Sequence, residues 1–164
     1  GKSQGMREKN DSTYQNRYRL MWNETVYEPG ELKVIAYDND GNPAAEKIVK
    51  TAGKPHHLVV TPNRDSIAAD GDELVYFTLQ VADKDGNIVP DDSRMVSFKV
   101  DGAGQFEATA NGDPTCLLPF QNPKMKLFSG AATAIARSAT TPGTLRFTAT
   151  APGVRSATAT ITVK

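Results

Sequence analysis

Carboxylates, one thiol and two imidazoles are the groups in this sequence best suited to move a proton, attack a carbonyl or hold a metal ion, and their spacing limits what each can do. Glu24, Glu28 and Glu31 lie close together in the chain. A retaining glycosidase needs two carboxyls about 5 Å apart, one as acid and one as nucleophile. Nothing in the spacing of these three places two of them across a cleft or buries one so as to raise its pKa. Asp38-Asn39-Asp40-Gly41-Asn42 and Asp83-Lys84-Asp85-Gly86-Asn87 both read D-x-D-G-N, and clustered carboxylates suit a hard cation. An EF-hand loop would need a third acidic or amide ligand before the glycine and a glutamate near its end, and neither segment supplies them in register. Aspartate and glycine at these positions are what a tight hairpin turn asks for, because they tolerate positive φ. The turn is the expected reading, with an ion as the lesser alternative. Cys116 is the only cysteine, which excludes an intrachain disulfide and leaves stability to burial and the strand ladders. It runs into an apolar stretch with no base beside it and is expected to be a structural thiol. His56 and His57 are adjacent, so in an extended strand their rings point to opposite faces and cannot share a metal or serve one thiol; they are expected to be linker residues. No catalytic, cofactor-binding or metal residue is expected in this chain, and no cofactor.

Sugar binding is the more serious functional possibility, since exposed aromatic rings on a sheet can stack on the apolar faces of pyranoses. Tyr27, Tyr37, Tyr76 and Phe120 are the candidates. The competing expectation is that Trp22, Phe77, Phe98 and Phe147 fill cores while the tyrosines pack at their edges with hydroxyls in water. Aromatics make up 7% of the chain with a single tryptophan, which is lean for a dedicated carbohydrate-binding module, so carbohydrate stays open as a partner.

The elements that would carry these residues are strands. In 18–40, Tyr18, Leu20, Trp22 and Val26 recur with period two, Glu28-Pro29-Gly30-Glu31 turns, and Leu32, Val34 and Ala36 recur on one face of a second strand, predicting a hairpin with one buried face. From Leu58 onward short strands alternate with turn residues: 58–62, then 74–82 with Val75, Phe77, Leu79 and Val81 on one face, then Val96, Phe98 and Val100, then Leu127 and Phe128, 131–137, 145–149 and 157–163. Asp70-Gly71, Asp85-Gly86, Asp101-Gly102, Asn111-Gly112, Pro142-Gly143 and Pro152-Gly153 punctuate them. The alanine-rich run 130–139 could be taken for a helix, but Thr133, Ile135 and the closing Thr140-Thr141-Pro142-Gly143 favour a strand. The fold class is therefore all-β: an immunoglobulin-like antiparallel β-sandwich over 54–164, preceded by a partial β-sandwich of a few strands over 1–53. Thr51-Ala52-Gly53-Lys54-Pro55 reads as a short, proline-stiffened linker between them.

At 164 residues the chain is too short for a βα barrel of about 250 residues, and it lacks the alternation such a barrel needs. Its 19 basic and 19 acidic residues cancel and are spread out, so no field attracts nucleic acid or an anionic membrane surface. No apolar run approaches the roughly 20 residues needed for membrane insertion as a helix. Residues up to about Gly53 supply three or four strands where a sandwich takes about seven. The Leu20, Trp22, Val26, Leu32 and Val34 face is therefore expected to be covered, by docking on the second domain or by pairing of the open N-terminal sheet edge with another copy in a homo-oligomer.

The string W-N-E-T-V-Y-E-P-G-E-L-K-V-I-A-Y-D resembles the segment that follows the catalytic barrel in bacterial glycoside hydrolase family 2 enzymes, especially β-galactosidase-like members, and Gly1-Lys2-Ser3-Gln4-Gly5 resembles the second half of a hairpin in the same enzymes. The second unit resembles the terminal immunoglobulin-like domain of many of them through Ala69 to Gly71, Asp83 to Gly86, Val89-Pro90, Phe98 to Gly104, Ala108 to Pro114 and Phe128 to Ser138. It also resembles the immunoglobulin-like modules of invasins and intimins through L-V-Y-F-T-L-Q-V-A-D-K-D-G-N-I-V-P followed by V-S-F-K-V-D-G-A-G. The first resemblance implies a C-terminal accessory region, partnered with a preceding catalytic barrel whose own glutamates do the chemistry, in a periplasmic or extracellular Gram-negative enzyme. The alternatives it leaves are a carbohydrate-binding module of such an enzyme and a surface adhesin-type repeat. A tandem array would show copies at a period of about 90 to 110 residues, and within this chain only the D-x-D-G-N hairpin recurs.

Overall fold

The computed structural model describes residues 1–164, which divide into two compact units, Gly1–Lys50 and Thr51–Lys164. The first holds a short helix α1 (Tyr14–Tyr18) and an antiparallel ribbon of β1 (Glu31–Tyr37) and β2 (Pro43–Lys50). The hairpin expected over 18–40 is displaced by one element. Residues 19–30 form no strand, the Pro29-Gly30 pair leads into β1, and the turn of the actual hairpin is the D-x-D-G-N segment at Asp38. The reason is local. Thr13 caps α1 by accepting a hydrogen bond from the Asn16 amide, and Tyr14 meets Tyr18 one helical turn on, ring centroids 5.1 Å apart, so the first aromatic of the supposed strand is taken by a helix. The unit has two strands where three or four were expected.

One face of the ribbon is mainly apolar, and the other mixes charges with Ile35 and Ile48. Register pairs Leu32 with Val49, Val34 with Lys47 and Ala36 with Ala45 on one face. The other carries ion pairs from Lys33 to Glu46 at 2.6 Å and from Lys50 to Glu31 at 3.3 Å. Leu32 and Val49 on the apolar face are 57% and 58% exposed.

The second unit is the sandwich. Its strands are β3 (His57–Pro62), β4 (Ser66–Ile67), β5 (Leu74–Ala82), β6 (Met95–Gly102), β7 (Gly104–Ala110), β8 (Lys124–Lys126), β9 (Ala131–Ser138), β10 (Gly143–Thr150) and β11 (Ala157–Val163). One sheet runs β3-β5-β9-β7 and the other β4-β11-β10-β6-β8. All pairings are antiparallel except β4 with β11. The first sheet has the A-B-E-D order of an immunoglobulin fold, and the second places the last two strands beside β6 as G-F-C. Val75, Phe77, Leu79 and Val81 of β5 all point into the core, as their alternation predicts. The alanine-rich run is strand β9, with Ala132, Ala134 and Ala136 inward. Ala134 lies directly opposite Phe77, and this small residue leaves room for the Phe77 ring to stack on Phe147 of the facing sheet at 4.1 Å and 10°. Phe98 packs at 5.9 Å from Phe147 and at 6.4 Å from Phe106.

Two strands lay outside the alternation argument. β7 carries a bulge between Phe106 and Ala108 that breaks its period, and β4 has only two residues. Where Leu127 and Phe128 were expected to form a strand, the pairing residues are 124–126; Leu127 follows them buried and Phe128 turns outward. Gly130 closes that corner with φ +73°, where a Cβ would stand 2.1 Å from the Val89 carbonyl oxygen.

Candidate functional site

The aspartates that head the two D-x-D-G-N segments both have structural occupations. In the first D-x-D-G-N turn the Asp38 carboxylate accepts hydrogen bonds from the amides of Asp40 (3.0 Å) and Asn42 (2.8 Å), and Gly41 sits at φ +82°. In the second, Asp83 accepts from the amides of Asp85 and Asn87 at 2.9 Å each and from the Asn87 side-chain amide at 2.9 Å. These are Asx-type hairpin turns, with the carboxylate lone pairs filled by N–H donors. No three of the chain's His, Cys, Asp and Glu side chains come together in a set able to hold a metal ion.

Asp83 makes one more bond, which no local pattern could reveal: the Gly53 amide, thirty residues earlier in the chain, donates to its Oδ2 at 2.7 Å. The carboxyl is 2% exposed. The Gly53 amide first, and the Asn87 side chain next, hold its pKa well below the usual carboxylate range. The expected linker thus has one of its amides fixed to a buried anion at the end of β5. An open depression of about 330 Å³ beside it is lined by Gly53, Lys54, Pro55, His56, Asp83, Lys84 and Asp85.

Glu31 is engaged with Lys50 across the ribbon, and Glu24 and Glu28 lie on exposed chain. Elsewhere Arg137 bridges Glu107 through two bonds of 2.9 Å and Asp72 through a third, and its guanidinium lowers the Glu107 pKa. This is an ion network on the outer face of a sheet. Cys116 is half-buried, its Sγ 3.7 Å from the Met125 sulfur.

The histidines depart from expectation. Their Nδ1 atoms are 3.3 Å apart rather than on opposite faces, because β3 begins at His57 and His56 lies outside the regular pleat. Arg155 places a guanidinium nitrogen 3.3 Å from His56 Nδ1. A cation at that distance disfavours a metal ion there.

Phe77 and Phe147 are fully buried and Phe98 nearly so. Trp22 is half-buried, and its indole N–H donates to the Gly5 carbonyl at 3.1 Å. Tyr27, Tyr37, Tyr76 and Phe120 are exposed, the first two in the N-terminal unit and the last two in the sandwich. No single surface therefore gathers the four rings within one unit.

An immunoglobulin-like module with Phe77, Phe98 and Phe147 committed to the core is the class these observations define. The chain belongs to the glycoside hydrolase family 2 C-terminal domain 5 family, which its residues 58–160 match. Residues 1–45 match a second family, described as a domain of unknown function, DUF4982. A beta-galactosidase of Bacteroides ovatus, BoGH2A, is 37% identical over 157 residues, covering 96% of this chain and 18% of that protein. Among solved structures, a glycosyl hydrolase family 2 member from Bacteroides cellulosilyticus matches with a TM-score of 0.79 at 28% identity, over 85% of this chain and 18% of the other. A beta-glycosidase from Bacteroides vulgatus matches with a TM-score of 0.80 at 26% identity, over 84% and 18%. The chain thus spans about a fifth of the length of these relatives.

Proposed function

We propose that this chain is the non-catalytic C-terminal accessory region of a larger family 2 glycoside hydrolase, β-galactosidase-like and acting on terminal β-linked sugars. In it the region serves structure, oligomer contacts or the positioning of a preceding catalytic barrel. The observation that carries the reading is the match over 96% of this chain to only 18% of a beta-galactosidase, which leaves ample length for a barrel of about 250 residues outside the matched part. The burial pattern supports it: Phe77, Phe98, Phe106 and Phe147 of the sandwich pack with one another, and most of its carboxylates are held in turns and ion pairs. Its domains are 1–53, the last strands of a post-barrel sandwich, and 54–164, the immunoglobulin-like module. It works in the periplasm or outside a Gram-negative cell.

The test compares the full-length polypeptide, the same polypeptide lacking this region, and the 164-residue chain alone on a nitrophenyl β-galactoside. Turnover is expected from the first and none from the last, with the truncated form losing thermal stability or its oligomeric state. Hydrolysis by the chain alone, abolished by changing one of its own acidic residues, overturns the reading.

A second reading, sugar binding, draws on the exposed rings of Tyr76 and Phe120. Titration of galactosides and plant or host glycans should then shift the backbone resonances around those two residues. Silence there, and in Trp22 fluorescence, removes it.

A further inference from the structure

The β7–β8 connection, residues 111–123, turns two large apolar groups outward while being firmly held from within. Cys116 and Leu118 pack against the core from the inside of this loop. Between and after them, Leu117 is 96% exposed and Phe120 63% exposed. The loop is braced. The Thr109 amide, on the free edge of β7, donates to the Phe120 carbonyl at 2.7 Å, and Asn111 donates its side-chain amide to the Lys126 carbonyl at 3.0 Å. Asp113, its only charged residue, accepts from the Thr115 amide and hydroxyl, and Pro114, Pro119 and Pro123 stiffen the backbone. A braced loop loses little conformational entropy when its side chains are covered.

Register places this loop at a particular end of the sandwich. Ala110 at the end of β7 pairs with Thr133, and Ala131 at the start of β9 pairs with Gln80, two residues from Ala82, which pairs with His57. The loop therefore leaves the sandwich at the end where β3 begins and where Asp83 fixes Gly53, the end through which the chain arrives.

We propose that Leu117 and Phe120 dock on the catalytic portion of the same polypeptide, so that the loop is an intramolecular contact seating the barrel against this module. The proposal rests on the reading of the chain as an accessory region. Two side chains offer on the order of a few hundred Å², well short of the ~1,000 Å² a specific complex between free partners needs. A tethered partner is different: membership of one polypeptide makes the contact intramolecular, so that it needs far less area than an encounter between free partners. The four-fifths of the relative's length outside the match supplies that partner, which is joined to the sandwich through residues 1–50 and the Thr51–Pro55 connection.

Hydrogen–deuterium exchange over residues 115–121 tests it, comparing the 164-residue chain with the full-length polypeptide. Exchange should slow about tenfold or more in the full-length protein, and the double variant Leu117→Asp, Phe120→Asp should return it to the rate of the chain alone. That variant should leave the melting temperature of the chain unchanged, because neither side chain is packed in it. Equal exchange in both forms, in a full-length protein that hydrolyses β-galactosides, overturns this contact and spares the accessory-region reading. A full-length protein with no glycosidase activity sinks that reading itself. Protection that fades on dilution assigns the loop to a second copy, and protection that appears only with added galactoside assigns it to a sugar; either overturns the proposal.

Discussion

Asp38 and Asp83 head turns of the same D-x-D-G-N pattern, and both accept the same two local amide bonds, yet their surroundings separate the two units of the molecule. Asp38 stands in solvent at the tip of a two-stranded ribbon; Asp83 is buried at the end of a core strand and reaches an amide thirty residues away. The same contrast holds for apolar residues. Leu32, Val34 and Val49 share a ribbon face with no inward side, whereas Phe77 and Phe147 stack between two sheets with every neighbour supplied. A hairpin alone cannot bury a face, so local sequence makes the turn while stability comes from the second layer.

Truncating side chains in the two units should expose this difference most strongly. Phe77→Ala or Phe147→Ala opens a cavity in a closed core and should cost about 3–5 kcal/mol in a denaturant titration. Leu32→Ala on the ribbon should cost the chain less than about 0.5 kcal/mol. A comparable loss at Leu32 would mean that the ribbon face is covered in solution. Glycines give the next contrast. Gly130→Ala combines positive φ with a clash against the Val89 carbonyl and should destabilise by about 2–3 kcal/mol. Gly41→Ala, at φ +82° with open space around it, should cost about 1 kcal/mol.

The sandwich was legible wherever a strand kept strict alternation, as β5, β10 and β11 do, since burying one face of a sheet writes period two into the sequence. It was illegible where geometry interrupts the period: the bulge at Phe106 hid β7, and a two-residue pairing hid β4. Before β1 the period-two reading of Tyr18, Leu20 and Trp22 failed because Tyr14 and Tyr18 also satisfy helical spacing and a threonine cap decided between them. The turn role of the aspartates was legible from D-x-D-G-N, but the Gly53 bond was not, because it depends on how a distant segment packs. Nor did the sequence reveal the meeting of His56 with His57, which depends on where the pleat begins.

Asp83→Ala against Asp38→Ala isolates the long-range bond. In the first variant the Gly53 amide loses its acceptor, so its exchange should accelerate about tenfold or more and the melting temperature should fall; in the second, Gly53 should not respond. Acid acts on the same bond. Asp83 has a folded pKa below its unfolded value of about 3.9, so its contribution is present above about pH 4 and is lost as pH falls further. The melting temperature should hold between pH 6 and 5 and decline below about 4, less steeply in Asp83→Asn, which no longer titrates. An identical decline in that variant would assign the acid sensitivity to the other lowered carboxylates, Asp38, Asp70, Asp92, Asp113 and Glu107.

The smallest difference should come from ion pairs. Lys33 and Glu46 meet at 2.6 Å on the ribbon, both half-exposed, whereas Arg137 in the sandwich holds Glu107 with a two-pronged guanidinium and Asp72 with a third bond. Exposed single pairs gain a little Coulomb energy, lose side-chain entropy and are screened by salt, so Glu46→Gln should change stability by no more than a few tenths of a kcal/mol. The planar fork of Arg137 is pre-organised for two carboxylate oxygens, which Lys cannot match, so Arg137→Lys should cost more than Glu46→Gln while staying below about 1 kcal/mol. Raising salt from 0.05 to about 0.5 M should shrink both effects. If the Arg137 variant kept its full cost in high salt, the fork would owe its strength to hydrogen-bond geometry across β7 and β9 rather than to charge.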